Sequence, residues 1–138
     1  MNRSKEFDII IWGASGFTGR LVVAYLFKKY GVNDNIKWAM AGRDKKKLKQ
    51  VRFEVADNSL PIIVAEINDE TSLKEMIIRT KVICTTVGPY TMYGSKLVSL
   101  CVNHGTDYCD LSGEVQWIRK MIDQHHENAK INGVKIVH

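Results

Sequence analysis

Short apolar runs alternate with longer stretches in which apolar residues recur every three or four positions, from one end of the chain to the other. The runs at 7–12 (Phe-Asp-Ile-Ile-Ile-Trp), 36–41, 61–65, 81–87, 107–110 and 134–137 read as strands. They are short and rich in β-branched and aromatic residues, and runs such as Ile62-Ile63-Val64 suit strands buried on both faces. The stretches at 17–30, 45–55, 70–79, 93–104 and 114–131 read as helices. Asp44 is placed to cap the second helix. Ser72 with Glu75 has capping-box spacing for the third, in competition with Asp69. Gly31 and Gly105 suit helix C-termini. Regular β/α alternation predicts a parallel sheet covered by helices on both faces.

The first strand runs straight into Gly13-Ala-Ser-Gly16-Phe-Thr-Gly19, and the first helix follows. Strand, glycine turn, helix is the setting in which a nucleotide pyrophosphate binds. Gly13 lets the chain leave the strand, Gly16 lets the backbone approach a phosphate, and Gly19 lets the helix pack closely on the sheet. The free N–H groups and the positive end of the helix dipole then face the anion. The spacing is G-x-x-G-x-x-G rather than the commoner G-x-G-x-x-G. The predicted fold is therefore α/β: a doubly wound parallel sheet of the Rossmann type, with strand order 3-2-1-4-5-6.

Composition narrows the class further. The 138 residues make one domain, with 45% hydrophobic and 25% charged residues, ordinary for a globular protein. No apolar run approaches the ~20 residues that cross a bilayer, and the charged start carries no signal-peptide segment, which favours the cytoplasm. Cys84, Cys101 and Cys109 form no CxxC and read as buried thiols in a reducing compartment; no spacing suggests a metal site. The net charge is +5, much of it from Lys45, Lys46, Lys47 and Lys49. That cluster reads as a solvated helix face rather than a nucleic-acid contact. The chain stops in a sixth strand with nothing to cover it. Residues 1–138 are therefore expected to be the nucleotide-binding domain of a longer protein, with a substrate domain to follow.

The second strand ends Ala41-Gly42-Arg43, thirty positions beyond Gly13. NAD-selective domains place an acid near this point for the ribose hydroxyls. Here Gly42 leaves room for a 2′-phosphate and Arg43 offers a guanidinium to bind it, with Lys45, Lys46 and Lys47 nearby. The adjacent Asp44 is assigned to the helix cap. NADP(H) is thus favoured over NAD(H). The fourth strand ends Val87-Gly88-Pro89-Tyr90, a turn expected to pass along the cofactor's ribose and pyrophosphate. The fifth ends Asp110-Leu-Ser112-Gly-Glu114, polar groups that serve either the nicotinamide end or helix capping. Tyr25 and Lys29 match a Tyr-x-x-x-Lys pair but lie on the first helix, away from where such a pair acts. His104, His125 and His126 read as solvated or helix-end residues.

Taken together, residues 13–19, Ala41-Gly42-Arg43, Val87-Gly-Pro-Tyr90 with Tyr93-Gly94, and Tyr108-Cys-Asp-Leu-Ser-Gly-Glu114 resemble the N-terminal nucleotide-binding domain of the saccharopine dehydrogenase-like oxidoreductases. The likeness covers the chain from end to end. It implies NAD(P)-dependent hydride transfer to a substrate held partly by a second domain, without naming that substrate. It also implies that Gly13, Ser15, Gly16, Phe17 and Thr18 line the pyrophosphate, with Gly19 behind them. Arg43 would meet the adenosine ribose, and Gly88, Pro89 and Tyr90 would lie near the nicotinamide ribose. No general acid is assigned; Tyr90, Tyr93 and Asp110 are candidates by location. The expected partner is a small-molecule substrate, and a homodimer stays open. The competing function is a non-catalytic NADP(H)-binding or redox-sensing module on the same fold.

Overall fold

The computed structural model describes residues 4–32 and 35–138; of the loop at 31–35, residues 33 and 34 lie outside the described part. The elements alternate as β1 (Phe7–Trp12), α1 (Phe17–Tyr30), β2 (Trp38–Gly42), α2 (Lys45–Val55), β3 (Ile62–Val64), α3 (Glu70–Ile77), β4 (Thr80–Thr85), α4 (Tyr90–Tyr93), α5 (Ser95–His104), β5 (Asp107–Cys109), α6 (Val115–Asn132) and β6 (Ile136–Val137). One sheet carries all six strands in the order β3-β2-β1-β4-β5-β6, and every pairing is parallel. The expected topology is the observed one.

Side chains of a strand alternate between the two faces of its sheet, and β1 shows what each face buries. Ile11 packs with Met40 of β2, Val23 of α1, and Leu48 and Val51 of α2. Ile10 and Trp12 face the other way, into a larger core with Leu73 and Met76 of α3, Leu97 and Val98 of α5, and Trp117 and Met121 of α6. Each chain half winds back over its own side of the sheet, so the two helix layers are offset. β1 sits at the centre, and its carboxyl end, where the direction of winding switches, opens a crevice.

The helix bounds follow local chemistry. α1 and α2 begin and end where the periodicity predicts. Asp44 caps α2, its carboxylate accepting the N–H of Lys46 and of Lys47 at 3.0 Å each. At α3 the competition resolves in favour of Asp69, which accepts the Thr71 and Ser72 amides at 3.0 and 3.3 Å. The Ser72 hydroxyl accepts the Glu66 amide instead, at 2.8 Å. The expected helix at 93–104 is corrected: a four-residue turn, α4, precedes α5, and the chain restarts at Gly94. A Cβ on Gly94 would lie 2.6 Å from the Trp117 ring, so this break lets α6 pack close.

Candidate functional site

The carboxyl ends of β1, β2 and β4 border an open cleft of about 920 Å³, at the upper end of the range for small-molecule sites. The glycine turn forms its floor. Gly13 adopts φ +86°, a conformation that side chains rarely take, and a Cβ there would lie 2.5 Å from Val87 Cγ2. At Gly16 an added Cβ would meet only the Gly13 carbonyl oxygen, at 3.4 Å, so the missing side chain leaves open space at the mouth of α1. No side chain caps α1 and its first turn holds no acid. The amides at its start therefore face the cleft with the positive end of the helix dipole behind them.

Arg43 lies on the second wall of the cleft, exposed, with no hydrogen bond or ion pair to any described residue. Lys45, Lys46 and Lys47 border the cleft beside it. The Asp44 carboxylate is occupied by the α2 cap, so it is turned to the helix as the sequence suggests. Gly42 also borders the cleft, and a Cβ there would meet Leu48 Cδ2 at 3.3 Å, so its missing side chain makes room for α2 as well.

Of the residues expected to hold a nucleotide, the cleft brings together Gly13, Ser15, Gly16, Arg43 and Gly88. It does not include Phe17, Thr18, Gly19, Pro89 or Tyr90. The Phe17 ring is exposed, and Thr18 borders a hollow on the other side of α1. Gly19 lies beneath the turn, where a Cβ would be 1.9 Å from the Gly13 carbonyl oxygen. Tyr90 is buried and turned inward. Its hydroxyl donates to the Thr85 carbonyl at 3.2 Å and accepts the Leu111 amide at 3.4 Å, and its ring stacks on Trp117. Burial pushes its phenol above the ordinary tyrosine range. The backbone between Gly88 and Tyr90 is held from across the fold by Glu114, which accepts the Tyr90 amide at 2.6 Å, the Thr91 amide at 3.1 Å and the Thr91 hydroxyl. These bonds, led by the Thr91 hydroxyl, hold the Glu114 carboxyl below the usual glutamate range.

Asp110 is likewise withdrawn from the cleft. Its side chain is fully buried, accepting the Tyr108 hydroxyl at 2.7 Å and the Ser112 amide at 2.9 Å. His138 Nδ1 lies 3.0 Å from the same carboxylate oxygen that Tyr108 uses. Burial and the Asp110 carboxylate together push the Tyr108 phenol upward. His138 escaped the sequence reading; its position at the carboxyl end of the sixth strand was the available signal. Thr86 and Val87, at the fourth-strand end, also border the cleft, as do Glu66 and Ile67 after β3, which the sequence reading did not name and to which the third strand's end would have pointed. Of the three proton-donor candidates, Tyr93 alone borders the cleft. Tyr25 and Lys29 do meet, Nζ to hydroxyl at 3.2 Å, on the exposed side of α1.

Topology, glycine turn and open helix end define a dinucleotide-binding domain of the doubly wound class, and the cleft fits its ligand: space above Gly16, unpaired amides for a pyrophosphate and a free guanidinium. Residues 9–137 match the family described as the saccharopine dehydrogenase NADP binding domain. A trans-acting enoyl reductase of Mycobacterium leprae is 41% identical over 135 residues, 96% of this chain and 32% of that protein. A putative trans-acting enoyl reductase of Mycobacterium tuberculosis is 40% identical over 136 residues, 97% of this chain and 32% of that protein. Apo saccharopine dehydrogenase (L-Glu forming) of Saccharomyces cerevisiae shares the fold, with TM-score 0.65 and 17% identity over 94% of this chain and 26% of its own. Citrobacter triphenylmethane reductase complexed with NADP(H) does so too, with TM-score 0.68 and 14% identity over 94% of this chain and 47% of its own. The chain belongs to the saccharopine dehydrogenase NADP-binding domain family. It is an NADP-binding Rossmann domain, and it spans about a third of the length of the curated relatives it matches. No helix among the described residues is long and apolar enough to cross a membrane.

Proposed function

We propose that this domain holds NADP(H) across the carboxyl ends of β1, β2 and β4 and serves a reductase whose substrate is held largely by chain beyond it. The observation that carries the reading is the meeting, in one cleft, of an uncapped α1 and an Arg43 that has no partner among the described residues. Ser15 and the uncapped first turn of α1 present backbone amides to the pyrophosphate, and Gly13 and Gly16 leave it room to approach. Arg43, helped by Lys45, Lys46 and Lys47, takes the 2′-phosphate that distinguishes NADP from NAD. Gly88 and Tyr93 border the far end, where the nicotinamide would lie. NADP(H), when bound, supplies the hydride.

The names of the mycobacterial relatives point to an enoyl C=C bond as the acceptor. Hydride addition to such a bond needs a proton at the neighbouring carbon. Tyr93 is the phenol on this domain best placed to lie near it; Tyr90 and Asp110 are committed to internal hydrogen bonds. A substrate domain C-terminal to residue 138 completes the proposal. The free thiols at Cys84, Cys101 and Cys109 favour a reducing, cytoplasmic location.

Titration of the domain with NADPH and with NADH, followed by nicotinamide fluorescence, tests the reading. Tighter binding of NADPH is expected. Equal affinity for the two would remove Arg43's role, and binding of neither would remove the cleft's.

A further inference from the structure

Cys84 on β4 and Cys109 on β5 are register partners in adjacent parallel strands. Register partners project from the same face of a sheet. Here that is the α1 side, where the two thiols, Val82, and Leu21 and Tyr25 of α1 border an apolar hollow of about 450 Å³. None of the residues around this hollow borders the nucleotide cleft. Both thiols are free and half-buried, whereas Cys101 is fully buried.

The neighbouring Cys109 thiol and burial push the Cys84 thiol above its ordinary range, while Cys84 beside it draws the Cys109 thiol below its own. One sulfur is thereby favoured as the nucleophile, and its neighbour stands within reach of whatever it captures. Neighbouring strands lie about 4.7–4.9 Å apart, and the two side chains leave them in parallel. A disulfide draws its Cβ atoms to about 3.8 Å. An atom set between the sulfurs asks for no such approach, and paired thiolates prefer soft centres.

We propose that Cys84 and Cys109 form a dithiol site that chelates a thiophilic centre of the trivalent arsenical class. With an organoarsenic(III) oxide, both sulfurs bond to arsenic and the arsenic–oxygen bonds break. The oxygen leaves as water with the two thiol protons, and no atom changes oxidation state. The site lies on the sheet behind α1 and is independent of nucleotide binding in the cleft.

The test treats the reduced chain with one equivalent of phenylarsine oxide, followed by excess glutathione to strip singly bonded arsenic. Native mass spectrometry is expected to show one retained phenylarsenic group. Iodoacetamide footprinting of the folded chain is expected to lose the labelling of both Cys84 and Cys109. The adduct is expected to disappear in Cys84→Ser and in Cys109→Ser and to survive in Cys101→Ser, with melting curves confirming that each variant folds. Absence of a glutathione-resistant adduct would overturn the proposal. So would an adduct that persists in either serine variant, or footprinting that leaves Cys84 or Cys109 labelled. The footprint needs no variant, so the result stands even if a substitution prevents folding.

Discussion

A Cβ built on Gly19 would sit 1.9 Å from the carbonyl oxygen of Gly13. The obstacle is backbone, so neither side can turn away. Gly19→Ala is expected to lift α1 from the strand end and to destabilise the apo domain by about 1–3 kcal/mol, the usual scale for overpacking. Gly16→Ala gives the contrast, because its Cβ would meet only one atom, at 3.4 Å. That variant is expected to melt close to the parent while binding NADPH more weakly. Thermal melts without nucleotide, paired with NADPH titrations, separate the two effects.

Arg43→Ala is expected to weaken NADPH binding by about 1–3 kcal/mol, the range for a charge-assisted hydrogen bond to a phosphate. NADH binding is expected to stay nearly unchanged, since that nucleotide has no 2′-phosphate. Parallel fluorescence titrations of the variant with both nucleotides check this. Equal losses for both would mean that Arg43 acts only through the general field of the cleft.

Glu114 ties α4 to the start of α6, and its carboxyl titrates below the usual glutamate value of 4.5. A depressed folded-state pKa means that the ionised form is favoured by folding. The contribution is fully present above the unfolded value and is lost as pH falls through the lower, folded one. The melting temperature of the parent is therefore expected to exceed that of Glu114→Gln at neutral pH. The gap should close in the acid range below about pH 4.3. Melts of both proteins from pH 3 to pH 7 read this directly.

Tyr90→Phe keeps the stack on Trp117 and removes a hydroxyl bonded to Thr85 and Leu111. A cost of about 0.5–1.5 kcal/mol in stability is expected, with the Leu111 amide losing its partner. Affinity for NADPH is expected to hold, because the hydroxyl faces the interior. A matched chemical-denaturation curve and NADPH titration would show whether stability changes alone.

The frame of the molecule is legible where the signals are local. α1 lies between Gly16 and Gly31, and α2 begins at Asp44, so periodicity and punctuation agree on their bounds. The sheet order follows from β/α alternation and the handedness of crossovers. The nucleotide cleft is legible at Gly13, Ser15, Gly16, Arg43 and Gly88 because strand ends and a glycine turn define it. What escapes depends on side chains that only the folded chain brings together. α4 is held by Glu114, across some twenty residues. Gly42 answers to Leu48 on the next helix, and Tyr90 turns inward because Thr85 and Trp117 receive it. The bond from Asp110 to His138 joins two strand ends that only the folded sheet brings together.

α2 and α3 each begin under an aspartate that belongs to the chain, while α1 begins with none. At α1, whose start opens on the cleft, the domain leaves a helix end to be finished by a guest. A dinucleotide in the cleft would complete the hydrogen bonding of that first turn. Because the unfolded chain offers no such cradle, occupancy at a hundred times the dissociation constant adds about 2.7 kcal/mol to the folded state. The resistance of this domain to unfolding is then expected to rise and fall with the concentration of NADP(H), oxidised and reduced alike, because both forms carry the same phosphates.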